Sequence, residues 1–170
     1  MQQSRISMLQ AMPIFGGISA STLSLILDNA SIIDVKAGCY FFEEGDLDNS
    51  IYILEQGSVA VFRSWGDQLY KLRELGAGDC FGEMALMDCK PRSAAVRALD
   101  DCRAIRITAA QLSELYAVDH EQYLLIYMNL GREVCRRLSD ADTRLFINRF
   151  SFEACGETEA DQPQGHQQEC

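Results

Sequence analysis

One stretch of the sequence, residues 81–96, carries residue types whose order suits the binding of a phosphate group. It reads Phe-Gly-Glu-Met-Ala-Leu-Met-Asp-Cys-Lys-Pro-Arg-Ser-Ala-Ala-Val, which predicts a strand end, one turn of helix and a return strand. A helical turn that starts near Glu83 points free backbone amides outward, and its dipole favours an anion. Gly82 lets the backbone come close to a ligand, and Arg92 offers a planar fork of donors that matches phosphate oxygens.

This segment lies within a region that is typical of small antiparallel β proteins. Between residues 31 and 108, short runs rich in β-branched and aromatic side chains alternate with Gly and Asp, which favour tight turns. The pattern predicts a rolled antiparallel β structure. The expected strands cover residues 32–35, 40–43, 50–55, 58–63, 69–72, 94–98 and 102–107.

Apolar residues at helical spacing flank the β region on both sides. Residues 1–30 predict two short helices, the second capped by Ser19 or Ser21, whose hydroxyls can accept from an unpaired amide. Residues 109–150 predict two more helices, over 109–117 and from 121 to about 147. Residues 151–170 are rich in Gln, Glu and Gly, which predicts a flexible acidic tail. The long helix carries an apolar stripe that must pack on the roll or on a partner helix: Tyr127, Leu130, Val134, Leu138, Ala141 and Leu145.

Composition and charge exclude several classes of protein. The 170 residues suffice for one domain that needs no disulfide or metal to fold. The net charge of −10 disfavours nucleic acid and anionic lipid as partners. No apolar run approaches the roughly 20 residues that span a bilayer, and the first residues do not show the basic-then-apolar pattern of a signal peptide. We therefore expect a cytoplasmic protein without membrane or nucleic-acid contact.

The seven cysteines and two histidines follow no metal-binding pattern. Because no C-x-x-C pair occurs in a chain of this size, we expect reduced thiols and no metal site. Cys39, Cys80, Cys102 and Cys135 are expected to be buried as small apolar side chains. The histidines at positions 120 and 166 are expected at the surface.

Residues 81–96 resemble the phosphate-binding cassette of cyclic-nucleotide-binding domains, as found in bacterial catabolite activators and protein kinase A regulatory subunits. They match the kinase subunits' pattern F-G-E-x-A-L-x-x-x-x-P-R-x-A without a gap. The resemblance extends over about residues 10–147, with turn glycines at positions 45, 57 and 78. It implies a mainly β, α+β fold, namely an antiparallel, jelly-roll-like β-roll flanked by N-terminal helices and a long C-terminal helix.

The resemblance also assigns a role to each cassette residue. It implies that Glu83 accepts from the ribose 2′-hydroxyl and that Arg92 pairs with the cyclic phosphate. The backbone amides of Ala85 and Ser93, together with the Ser93 hydroxyl, would complete the phosphate cradle. Taken singly, Glu83 and Arg92 would be surface charges, and only their combination in this order carries the prediction. The full set of predicted ligand-binding residues is Val61, Leu72, Gly82, Glu83, Met84, Ala85, Arg92, Ser93, Ala94 and Asp142.

The base of the nucleotide is less constrained than the phosphate. Val61, Leu72 and Met84 fall where the family lines its purine pocket. Catabolite activators carry a hydroxyl residue on the long helix that reaches the adenine amino group, whereas this sequence has Ala141 and Asp142 there. A hydroxyl directly after the arginine accompanies adenosine ligands in the bacterial activators and guanosine ligands in some kinases. We therefore expect cAMP as the ligand, and cGMP stays open.

These features predict a cyclic-nucleotide-binding regulatory domain. No enzymatic activity is expected, because nothing in residues 81–96 pairs a nucleophile with a base. The ligand would order this segment and move the long helix toward its base. No helix-turn-helix sequence follows that helix, so the output would go through a partner protein. The same helix is also a candidate contact for a homodimer.

A rival interpretation keeps the fold and removes the ligand. The chain would then be a protein-interaction module that has lost nucleotide binding. The presence of Glu83 and Arg92 argues against this interpretation, and the departure at Ala141 and Asp142 argues for it.

Overall fold

The β region forms two four-stranded antiparallel sheets in a computed structural model that describes residues 2–156. The strands are β1 (Ser31–Val35), β2 (Tyr40–Phe42), β3 (Ile51–Gln56), β4 (Ser58–Trp65), β5 (Gln68–Gly76), β6 (Cys80–Phe81), β7 (Ala95–Ala98) and β8 (Cys102–Ile107). One sheet has the order β1-β8-β3-β6, and the other has the order β2-β7-β4-β5. The expected mainly β, α+β fold with an antiparallel roll is confirmed.

Strand β3 shows how one apolar run supports two cores. Ile51 and Ile53 pack with the helices, whereas Tyr52 and Leu54 pack in a second core that draws residues from both sheets. Successive side chains of a strand point to opposite faces, so a run of four large apolar residues can serve both sides. All four residues are buried.

Helices precede and follow the sheets, as the apolar spacing predicts. Pro13 begins a short 3₁₀ turn over Pro13–Phe15 between the first two helices. Ser19 caps the second helix, since its Oγ accepts from the backbone N–H of Thr22 at 3.1 Å. Of the two capping candidates, Ser19 therefore fills the role. The helices are α1 (Gln2–Ala11), α2 (Ala20–Asn29), α3 (Glu83–Asp88), α4 (Ala109–Val118) and α5 (His120–Gly156).

Helix α5 is longer than the sequence pattern indicates. It ends at Gly156, so residues 151–156 are helical although they were expected to belong to a flexible tail. Residues 148–155 contain neither Pro nor Gly, and nothing in them stops a helix before Gly156. The rest of the expected tail, residues 157–170, lies outside the described residues. The chain divides into two compact units, of which the second begins at Cys135.

Two of the four cysteines expected in the core are exposed. Cys80 and Cys102 are buried, as expected, but Cys39 and Cys135 are not. Cys39 follows a turn glycine just before β2, and Cys135 lies on α5 with its side chain exposed. Within residues 2–156, no helix is long and apolar enough to cross a bilayer. The same residues hold no cluster of three or more His, Cys, Asp or Glu side chains suited to a metal ion.

Candidate functional site

The turn between β6 and α3 depends on a glycine. Gly82 has a backbone φ of +86°, a conformation that residues with a side chain rarely adopt. A Cβ atom at this position would lie 2.6 Å from Nη1 of Arg92 and 2.8 Å from the carbonyl oxygen of Ser50. Both the backbone conformation and the close approach of Arg92 therefore require glycine here.

Arg92 is buried and is held on several sides by backbone and side-chain acceptors. It is only 3 % exposed. Its Nη1 donates to the carbonyl of Gly82 at 2.8 Å, and its Nη2 donates to the Asp48 carboxylate at 2.8 Å and to the Ser50 carbonyl at 2.7 Å. Its Cζ lies 4.0 Å from the centre of the Phe42 ring. These contacts hold the guanidinium in one orientation.

One donor of this guanidinium has no acceptor. The Nε atom of Arg92 is buried and makes no hydrogen bond within residues 2–156. A buried donor without a partner costs about 1–3 kcal/mol, which an incoming anion would relieve. An arginine held in this way can therefore serve as an anion-binding group.

The loop before β3 anchors the backbone of Arg92. The N–H of Gly45 donates to the carbonyl of Arg92 at 2.8 Å, and the N–H of Arg92 donates to the carbonyl of Asp46 at 2.9 Å. The same loop supplies Asp48, the ionic partner of the guanidinium. Residues about 45 positions apart in the sequence therefore form one structural unit.

Asp48 is the centre of a charged cluster that the sequence analysis did not include. Besides Arg92, its carboxylate accepts from Arg106 at 3.1 Å, from the Ser50 hydroxyl at 2.8 Å and from the Tyr52 hydroxyl at 3.1 Å. Partial burial raises the pKa of Asp48, but the hydrogen bonds from Ser50, Arg92 and Arg106 outweigh it and hold the pKa well below its usual range. Asp48 is therefore a carboxylate at any neutral pH.

Glu83 is also buried, next to a cation that the sequence analysis missed. Its side chain is 3 % exposed, and its Oε1 lies 4.0 Å from Nη2 of Arg73. Arg73 is the register partner of Val61 across β4 and β5. Paired residues of antiparallel strands point to the same face, so this register could have placed Arg73 beside the cassette had the pairing been known.

The predicted base-contacting residues lie in different surroundings. Val61 is buried in the core that the two sheets share. Leu72 and Met84 are about half exposed, and the Ser93 hydroxyl donates to the Met84 sulfur at 3.6 Å. Leu72 and Met84 are therefore accessible to a ligand, whereas the side chain of Val61 is almost fully buried.

The structure brings most of the predicted residues into one region. Gly82 contacts Arg92, and Met84 contacts Ser93. Ala85 is buried on α3 and Ala94 is half-buried before β7. Asp142 is exposed on α5 and belongs to the unit that begins at Cys135.

Comparison with known proteins identifies the family of this fold and site. A model of the cyclic nucleotide-binding domain family matches residues 32–119. The chain is 32 % identical over 150 residues to the cyclic AMP receptor protein of Thermus thermophilus, covering 84 % of this chain and 64 % of that protein. It therefore spans less than two thirds of that relative's length.

Solved structures agree with the sequence comparison. The crystal structure of the Thermus thermophilus catabolite activator protein matches with a TM-score of 0.70 and 31 % identity, over 81 % of this chain and 63 % of that chain. The regulatory domain of Toxoplasma gondii PKA, co-crystallised with cAMP, matches with a TM-score of 0.64 and 28 % identity, over 73 % and 48 % of the two chains. The chain belongs to the cyclic nucleotide-binding domain family.

Proposed function

We propose that this chain is a regulatory module that binds a cyclic nucleotide in residues 81–96 and transmits the signal to a partner protein. The observation that carries the proposal is the buried guanidinium of Arg92, whose Nε lacks an acceptor within residues 2–156. In this proposal Arg92 pairs with the cyclic phosphate and Glu83 accepts from the ribose 2′-hydroxyl. The amides of Ala85 and Ser93 complete the cradle.

The purine lies against the apolar residues near the cassette in this proposal. Val61, Leu72 and Met84 form the walls, with Gly82 and Ala94 keeping the backbone close to the ligand. In the sequence, Ala141 and Asp142 stand where catabolite activators carry their base-contacting hydroxyl. The half-exposed apolar side chains of Leu72 and Met84 support this placement of the purine, because a bound base would cover them.

Packing between α3 and the N-terminal part of α5 couples ligand binding in the cassette to the position of α5. Leu86 of α3 belongs to the same core cluster as Ile126 and Leu130 of α5. A ligand that shifts α3 therefore changes the packing beneath α5, and it can favour one helix position only through its affinity difference between the two. We propose that this shift repositions α5 toward an effector protein.

We propose no catalytic activity, no resident metal or cofactor, and a cytoplasmic location. The matched family is a binding domain, and the co-crystallised relative is a regulatory domain. The exposed thiols of Cys39, Cys89 and Cys135 fit a reducing compartment. The net charge of −10 opposes nucleic acid as a partner.

Two nucleotides are candidates, and different observations favour them. The relatives described with cAMP favour cAMP, the ligand expected from the sequence. Arg73 favours cGMP, because an arginine can donate to both O6 and N7 of guanine, whereas adenine presents a donor in place of O6. We place cAMP first and cGMP second.

Isothermal titration with both nucleotides tests the function and the base. We expect saturable binding of cAMP, and mass spectrometry of any co-purified ligand reports the base independently. Arg73→Ala is expected to weaken cGMP about tenfold, with little change for cAMP, if arginine reads guanine. Equal losses of affinity for cAMP and cGMP would mean that Arg73 acts only through its ion pair with Glu83 and does not read the base. Absence of heat with either nucleotide would favour the interaction module without a ligand.

The distal part of α5 supports a homodimer as a second element of the proposal. Leu138, Ala141 and Leu145 recur at steps of three and four residues and are exposed. This is the spacing that two helices use to form a coiled coil. We propose that a second copy of the chain covers this stripe.

Light scattering on a sizing column checks the homodimer. We expect twice the monomer mass for the unmodified chain and a shift toward monomer for Leu145→Glu, because a carboxylate in the seam would be desolvated. Thr143→Glu is the matched control, since it adds the same charge on the opposite side of the helix and should keep the dimer. A monomeric unmodified chain at high concentration would contradict the dimer.

A further inference from the structure

Two arginines share the carboxylate of Asp48. Arg92 donates to Oδ2 at 2.8 Å and Arg106 donates to Oδ1 at 3.1 Å. The side chain of Arg92 is 2 % exposed and that of Arg106 is 36 % exposed. The cluster therefore contains one carboxylate and two guanidinium groups and carries one surplus positive charge.

Arg106 also binds Ser50, the second residue that holds the guanidinium of Arg92. Its Nε donates to the Ser50 hydroxyl at 2.9 Å, while the Ser50 carbonyl accepts from Arg92 at 2.7 Å. Ser50 is fully buried. Arg106 lies on β8 opposite Tyr52 of β3, whose hydroxyl donates to Asp48 as well. Asp48 and Ser50 thus each link Arg106 to Arg92, and the Tyr52 ring lies 5.8 Å from the Cζ of Arg92 as well.

The charge balance has a direct consequence for an anion. A carboxylate paired only with Arg92 would cancel the charge that attracts a phosphate, and it would repel the phosphate itself. With Arg106 on its other oxygen, the charge of Asp48 is offset on the side away from Arg92. In a partly buried site such interactions are weakly screened, so one unit of charge a few ångströms away has a measurable effect.

We propose that Arg106 is a positioning residue for the cyclic phosphate. Arg106 neutralises Asp48 and thereby leaves the positive charge of Arg92 available to the ligand. The inference rests on the proposed function and extends it to a residue of β8 that does not touch the nucleotide. It also explains why a carboxylate can lie 2.8 Å from the phosphate-binding arginine without abolishing its attraction for anions.

A thermodynamic cycle on Asp48 and Arg106 tests this role, with cAMP and cGMP as the titrants. Arg106→Gln is expected to weaken binding about tenfold at low salt, because the charge of Asp48 is then fully opposed to the phosphate. In the Asp48→Asn background the same change is expected to cost at most about threefold, because no carboxylate remains to be neutralised. Arg106→Lys should keep most of the affinity.

The matched control is Arg103→Gln. Arg103 lies on the same strand, but it pairs with Asp34 at 2.7 Å at the exposed surface. Its replacement removes the same charge from the chain and is expected to leave affinity unchanged. A tenfold loss in this control would assign the effect to net charge and would overturn the proposal.

The remaining outcomes also separate the possibilities. Equal losses from Arg106→Gln in both backgrounds would show a merely structural role and overturn the inference. If the Arg106→Gln variant does not fold, the test uses the Asp48→Asn background alone. A tenfold loss of affinity on adding Arg106→Gln to that background would also show a structural role and overturn the inference. Unchanged affinity of Arg106→Gln overturns this inference alone, whereas no binding by the unmodified chain overturns the proposed function and this inference with it.

Discussion

Arg92→Lys is expected to weaken cyclic-nucleotide binding about 100-fold. The guanidinium contacts Gly82, Asp48 and the Ser50 carbonyl at once, and its Nε stays available for an anion. A lysine ammonium keeps the charge but cannot reproduce this planar arrangement. Losing one charged hydrogen bond to the ligand, worth up to about 3 kcal/mol, gives a loss of that size.

Titration calorimetry measures this loss, with circular dichroism as the check on folding. Arg97→Lys provides the matched control, because Arg97 is nearby on β7 and contacts aromatic rings, its Cζ lying 4.7 Å from the Phe62 ring. The control should bind as the unmodified chain does. An Arg92→Lys variant with full affinity would remove the phosphate contact from our proposal.

Gly82→Ala is expected to destabilise the fold by about 2–4 kcal/mol and to abolish measurable nucleotide binding. The positive φ costs about 1–2 kcal/mol for a residue with a Cβ. The added atom would also lie 2.8 Å from the Ser50 carbonyl, a backbone atom that cannot move aside cheaply. In a domain of this size the melting temperature should fall by roughly 10 °C.

Gly38→Ala separates the two causes. Gly38 has φ +84°, close to that of Gly82, but no atom lies within 4 Å of where its Cβ would be. Its replacement should therefore cost only the backbone part, about 1–2 kcal/mol, and leave nucleotide affinity unchanged. Equal melting temperatures and affinities for the two variants would show that the contact with Arg92 and Ser50 is unimportant.

The sign of the Asp48 pKa shift limits the pH range of stability. A carboxyl group whose pKa is lowered in the folded state contributes stability above its unfolded pKa near 4 and loses it as the pH falls toward the folded value. The Asp48 cluster therefore retains its full contribution at neutral pH. Acid below about pH 4 weakens the hold on Arg92.

Local patterns in the sequence determined the elements and the cassette. Turn glycines, β-branched runs and helical spacing are properties of neighbouring residues, and they predicted the roll and its flanking helices. The string from Phe81 to Val96 predicts Gly82, Glu83 and Arg92 as ligand-binding residues because they are close together in the chain. The end of α5 was placed too early because the tail was judged from its Gln, Glu and Gly content, although no Pro or Gly breaks the helix before Gly156.

Only the tertiary structure decided what surrounds Arg92 and Glu83. Asp48 and Arg106 reach the cassette because β8 pairs with β3, and Arg73 reaches Glu83 because β5 pairs with β4 in one particular register. Residue spacing contains no record of which strands become neighbours, since pairing is settled by the packing of the whole sheet. The sequence by itself thus predicts the groups that we propose bind an anion, whereas the pairing of the strands decided which charged side chains lie next to them.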